Sequence, residues 1–136
     1  MPSYDEEEMA GVLHPLFDED LFKDTVTRER KRTERSGMAM VMLLVGVQDG
    51  RRPATPSVFE GMAKALSAVK SETDILGWFE RHSVMGLIVP EVDSAGLTAA
   101  SERLEGEFRR ELTSRFEEHL ARRLSITPYR RLASLV

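Results

Sequence analysis

Residues 73–90 read TDILGWFERHSVMGLIVP. Two apolar runs, Thr73 to Phe79 and Val84 to Val89, flank the polar residues Glu80–Arg81–His82–Ser83. Runs of this length around a short polar break predict a β-hairpin with a four-residue loop. Gly86, inside the second run, predicts a bulge or the close approach of a neighbouring backbone, and Pro90 is expected to end that strand. Alternation along a strand buries one of Trp78 and Phe79 and exposes the other. An exposed aromatic beside charged residues is a common feature of contact surfaces.

Outward from the hairpin the pattern changes period. Upstream, Val58, Phe59, Met62, Leu66 and Val69 recur at three- and four-residue intervals, which predicts a helix capped by Ser57 and running to about Ser71. Before it, Met38 to Val47 (MAMVMLLVGV) is apolar throughout and is flanked by turn residues, which predicts a strand buried on both faces. Downstream, Asp93 or Ser94 caps a helix whose apolar stripe is Leu97, Ala100, Leu104, Phe108 and Leu112. The spacing of four continues to Leu124, but such a stripe drifts around a 3.6-residue helix. The helix is therefore ended near Ser114 to Glu117 and followed by a strand, Leu120 to Thr127, that Pro128 stops. An unbroken helix to Leu124 is the alternative. At the other end, Asp18 or Asp20 caps a helix reaching about Arg35, with Leu21, Phe22, Thr25 and Val26 on a short apolar stripe and Ser36–Gly37 as its stop.

Without that first helix the order is strand, helix, strand, strand, helix, strand. This βαββαβ arrangement is the ferredoxin-like, α+β plan, an antiparallel sheet with two helices on one face. The apolar first strand also needs cover on its second face, from the first helix, the segment before it or a partner chain. The expected organisation is an acidic arm over 1–17, a helix over 18–36 and the α+β unit over 37–136.

Composition narrows the function. The chain has 136 residues and no Cys. That length fits one domain, and the absence of Cys excludes disulfide frameworks, thiolate zinc sites, iron–sulfur clusters and thiol nucleophiles. No apolar run approaches about 18 residues, so no membrane-spanning helix is expected. The start, MPSYDEEE, lacks the basic and apolar regions of a secretory signal, which makes the cytoplasm the expected compartment. The net charge of −4 is unevenly spread. Residues 1–24 hold eight acids and one base, and the rest of the chain is mildly basic. That balance argues against nucleic acid, whose phosphates need a basic footprint.

Motifs for chemistry are sparse. His14, His82 and His119 have neither the spacing nor the neighbours of metal ligands. The connector QDGRRPATP carries one Gly and matches no phosphate-binding loop, although Arg51 and Arg52 could hold a phosphate as charges. Arg28 to Arg35 has five bases and two acids. It reads as a solvated helix face or as a dock for the acidic arm of this or another chain.

The strand MVMLLVGV, the hairpin TDILGWFERHSVMGLIVP, the helix containing Ala99–Ala100 and Glu102–Arg103–Leu104, and the approach RTERSG together resemble the GGDEF domain family over about residues 18–127. These are bacterial diguanylate cyclases built on a nucleotide-cyclase-like βαββαβ core. The resemblance implies positions for chemistry, and this sequence departs from each. Where the family has acid–apolar–acid at the end of its first strand, Gly46–Val47–Gln48 stands here, without the hard oxygen ligands magnesium needs. The guanine-binding loop is shortened to DGRRPATP, with no Asn. The GGDEF tip is replaced by Glu80–Arg81–His82–Ser83–Val84. In the family's Arg-x-x-Asp product site, Ser71 takes the Arg position and Asp74 remains.

The expectation is a degenerate, non-catalytic GGDEF-like regulatory module of bacterial signalling. It would bind a protein partner or itself, with the first helix as the element of a homodimer. No catalytic residue, cofactor or metal ligand is assigned. The candidate interaction surface is Leu21, Phe22, Val26, Arg30, Trp78, Phe79, Glu80, Arg81 and His82. The alternative is a nucleotide or cyclic-dinucleotide sensor without cyclase activity, its phosphates met by Arg51, Arg52, Arg81 and His82.

Overall fold

The computed structural model describes residues 16–47, 56–116 and 121–131. Its elements are β1 (Leu16–Phe17), α1 (Glu19–Ser36), β2 (Ala39–Val47), α2 (Pro56–Val69), β3 (Ile75–Glu80), β4 (Val84–Val92), a 3₁₀ turn (Ser94–Gly96), α3 (Leu97–Arg115) and β5 (Leu124–Arg131). One five-stranded sheet has the order β1-β3-β4-β2-β5. Strands β2 to β5 pair antiparallel in the ferredoxin-like order, and β1 adds a short parallel edge to β3.

The two faces of the sheet are covered differently. Val41, Leu43 and Val45 of β2 point to the same side as Leu76, Trp78, Met85 and Leu87, and pack with Phe59, Met62 and Leu66 of α2 and Leu104, Phe108 and Leu112 of α3. The intervening residues Met40 and Met42, with Ile88, form a second buried cluster around Phe22 of α1. The second face of β2 is thus covered by the chain's own first helix. Its seating depends on two facing glycines. Gly77 and Gly86 are cross-strand partners, and a Cβ on either would lie 2.6 Å from the Phe22 ring. The missing side chains leave a slot that the ring fills completely, at 0% exposure. Burying a Phe contributes about 1.5–3 kcal/mol.

Helix α1 begins and ends on sequence-coded caps. Asp18 Oδ1 accepts from the Leu21 N–H at 2.8 Å. Gly37, at φ 76°, donates its N–H back to the Thr33 carbonyl at 3.1 Å in the left-handed geometry that glycine adopts cheaply.

Several boundaries differ from expectation. Residues 16–17, assigned to the arm, form β1. Helix α2 starts at Pro56, one residue before Ser57, in the first turn where proline's missing N–H costs nothing. Pro90 does not end β4. Val41 pairs with Val89 and Ala39 with Val92, so β4 carries one extra residue there, and Glu91 has φ 55°. The proline is accommodated in a bulge. Helix α3 stops at Arg115, with Phe116 extended, which settles against the unbroken helix. The last strand is Leu124–Arg131, displaced from the expected Leu120–Thr127. Pro128 lies inside it opposite Leu43, a position open to proline because β5 is an edge strand.

Candidate functional site

The hairpin loop is three residues long, because Glu80 pairs with Val84. The Ser83 N–H donates to the Glu80 carbonyl at 3.0 Å, and His82 sits in the left-handed region at φ 64°. Phe79 is the extra residue between the Trp78–Met85 and Glu80–Val84 pairs. This bulge turns the tip toward the N-terminus of α1. There the Arg81 N–H donates to Glu19 Oε1 at 2.7 Å, and Lys23 Nζ lies 3.2 Å from Glu19 Oε2. The Arg81 hydrogen bond, then the Lys23 hydrogen bond, hold the Glu19 carboxyl below its ordinary value of 4.5. The Lys23 ammonium also stands 5.2 Å from the centre of the Phe79 ring, within cation–π range. Glu19, Lys23, Phe79 and Arg81 therefore fasten helix to hairpin.

Helix α1 covers the middle of its sheet face and leaves a recess beside the hairpin. The recess is about 490 Å³ and is lined by Leu44, Gly46 and Val47 of β2, Phe79 and Glu80 of β3, Ser83, Val84, and Ser125 and Thr127 of β5. Leu44, Val47, Phe79 and Val84 make its lining mostly apolar, Ser83, Ser125 and Thr127 add three hydroxyls, and Glu80 is the one carboxylate among the described residues. This is where the end of β2 meets the hairpin, the place at which the resemblance locates magnesium and triphosphate. The donor set does not fit. A pair of divalent ions needs several hard oxygen ligands, and the described residues of this lining supply one charged one. Among the described residues, no group of three or more His, Asp or Glu is placed to hold a metal ion.

The structure separates the residues proposed as one interaction surface. Phe22 is filled into the Gly77–Gly86 slot and Trp78 is 3% exposed. Trp78 packs edge-on against Phe59 at 5.2 Å and against His82 at 5.8 Å. Neither is open to a partner; both belong to the core. Val26 is half-buried against the Phe22 cluster. Leu21 is 42% exposed and Arg30 is exposed, but nine residues at about 100° each place them on opposite flanks of α1. Phe79 and His82 are half-buried, and Glu80 and Arg81 are exposed at the tip. Arg51 and Arg52, and with them most of the shortened loop, lie outside the described residues, as do residues 1–15 of the arm. Of the phosphate-binding set of the alternative reading, Arg81 and His82 are among the described residues.

One pairing, and the setting of the already noted Asp74, go beyond the reading of the sequence. Gly77 went unnoticed as the partner of Gly86, although the hairpin register brings them opposite. Asp74 is 7% exposed; its Oδ2 accepts from the Ser71 N–H at 2.9 Å, while its buried Oδ1 has no hydrogen-bond partner among the described residues. It lines a cavity of about 170 Å³ together with Ser71, Val89, Arg103 and Glu107.

No family model matches the sequence, and no curated protein does. Likeness is found among solved structures. The GGDEF domain of DgcB from Caulobacter crescentus, solved in complex with c-di-GMP, has a TM-score of 0.66 at 13% identity, over 91% of this chain and 80% of that one. The FimX GGDEF domain from Pseudomonas aeruginosa has a TM-score of 0.65 at 13% identity, over 89% and 78%. The diguanylate cyclase SiaD from Pseudomonas aeruginosa, solved in complex with its activator SiaC, has a TM-score of 0.60 at 17% identity, over 92% of this chain and 50% of that one.

Proposed function

We propose that this chain, which has the fold of a GGDEF domain, is a non-catalytic regulatory module that works by binding a protein. The observation that carries the reading is the lining of the recess at the hairpin mouth. Among the described residues, Gly46, Val47, Phe79 and Val84 stand there with a single carboxylate, Glu80. Phosphoryl transfer depends almost wholly on positioned charge, and metal ions supply most of it. These side chains offer a triphosphate and its magnesium one negative ligand and an apolar floor.

The surface left for a protein partner is the exposed tip, Glu80 and Arg81, with the accessible part of Phe79 beside it. The tip is held by Glu19, so a partner would meet a pre-ordered loop and lose less entropy on binding. The structurally similar SiaD was solved with a protein activator, which supports protein partners for this fold in general. A second copy of this chain is one such partner. The setting we propose is cytoplasmic bacterial signalling; no described helix is long and apolar enough to cross a membrane.

One observation favours a second reading, cyclic-dinucleotide sensing. Asp74 keeps a buried carboxylate oxygen without a hydrogen bond at a cavity that Arg103 also lines. The resemblance places a product site at Asp74, although Ser71 replaces its arginine. Titration calorimetry of the full chain with GTP and with c-di-GMP, with and without magnesium, separates the readings. The protein-binding module gives no affinity tighter than about 10 μM, roughly −7 kcal/mol, for either. Tighter c-di-GMP binding that is lost in Asp74→Asn would favour the sensor, and tight magnesium-dependent GTP binding would contradict both.

A further inference from the structure

The second flank of α1 carries a groove that the recess does not share. It is about 450 Å³, with Phe17 of β1 and Ile75 of β3 as its apolar floor. Arg28, Lys31, Arg32 and Arg35 of α1 line it, against one acid, Glu29. Arg32 spans two acids, Glu91 at 3.0 Å and Glu29 at 3.7 Å. The groove is cationic all the same, and four basic side chains beside an apolar floor suit an extended acidic segment.

The course of the chain says which segment is nearest. Strand β1 runs parallel to β3, with Leu16 opposite Leu76 and Phe17 opposite Gly77. β3 runs from Ile75 toward the hairpin. Leu16, the first described residue, therefore lies at the Ile75 end of the sheet, beside the groove. Helix α1 starts at the hairpin, where Glu19 meets Arg81, and ends at Ser36 before β2. Its basic half lies at that same Ile75 end. The segment that precedes Leu16 contains Asp5, Glu6, Glu7 and Glu8 and no Lys or Arg. Eight residue steps separate Glu8 from Leu16. Extended, they span up to about 27 Å, against about 10 Å of helix from Arg28 to Arg35.

We infer that the acidic segment Asp5–Glu8 of the same chain docks along the groove lined by Arg28, Lys31, Arg32 and Arg35. The contact is electrostatic and lies near the surface, so it weakens as salt shortens the screening length from about 10 Å at 0.1 M to about 3 Å at 1 M. Docking would cover the basic flank of α1 and release would expose it. Tethering raises the local concentration of the segment without any further contact. This inference is independent of whether the recess binds nucleotide or protein.

The chain has no Cys, so Ser3→Cys provides a single attachment point for a nitroxide. Paramagnetic broadening of backbone amides in the ¹⁵N-labelled full chain then reads the position of the arm. The amides of residues 28–35 should broaden at low salt, while those of α3, across the sheet, do not. Broadening should be lost at about 1 M salt. It should also be lost in the arm variant E6K/E7K/E8K, which leaves the groove intact, and in R28E/R35E. Absence of broadening over 28–35 at low salt would overturn the inference, as would broadening that survives the arm variant. Broadening seen only when a nitroxide-labelled unlabelled-nitrogen chain is mixed with an unmodified ¹⁵N chain would assign the contact to a second copy and overturn docking within one chain.

Discussion

Phe22 shows how one side chain changes the reading of a helix. As part of a short apolar stripe next to a long polar stretch, it looks like a residue offered to a partner. In the structure its ring occupies the slot left by Gly77 and Gly86 and joins the Met40, Met42 and Ile88 cluster. Phe22→Ala should lower unfolding stability by about 3–5 kcal/mol, the usual cost of emptying a buried aromatic site, measured by denaturant unfolding. A loss below about 1 kcal/mol would mean that α1 is only loosely laid on the sheet. The sequence carried half of this interaction. Gly86 pointed to a close approach, but the visitor is a side chain from 64 positions earlier in the numbering, beyond the reach of any local pattern. Trp78 was equally ambiguous, because strand alternation says that one of two adjacent aromatics is buried and is silent on which.

At the scale of elements, α2, the hairpin and the apolar β2 were legible because hydrophobic period alone specifies them. The misread boundaries share a cause. Pro90 and Pro128 read as strand stops in the sequence, yet one sits in a bulge and the other on an edge strand. Whether a strand lies at an edge is decided by its neighbours, and β5 becomes an edge only once the sheet is assembled. β1, two residues long, has no periodicity to detect. The join between α1 and the hairpin makes a prediction of its own. Glu19 has its carboxyl pKa lowered by the Arg81 N–H and Lys23. A depressed carboxyl contributes stability that is present above its ordinary value of 4.5 and lost as pH falls through the lower folded value. The Arg81 amide resonance should therefore titrate with a midpoint below 4.5, and Glu19→Gln should abolish that titration. A midpoint at or above 4.5 would show that the helix does not hold the tip.

Over the whole molecule, the α+β plan is readable in the order of elements, and GGDEF structures at 11–17% identity share that fold. The site was less legible. The resemblance points to positions from Gly46–Val47 to the hairpin tip, but the sequence could not say what the residues there would build. The described residues there build a largely apolar recess with one carboxylate, flanked by a helix that the same chain packs on its own sheet. The acid-rich segment and the basic flank of α1 are far apart in residue number, and the docking inferred for them rests on the direction of β1, which no local pattern announces. The central claim is that this fold is kept without the means for phosphoryl transfer. Incubation of the full chain with GTP and magnesium, followed by chromatography of the nucleotides, tests it most directly. The account predicts no cyclic dinucleotide above a protein-free control. Product that forms with the intact chain and disappears with Glu80→Gln would contradict it.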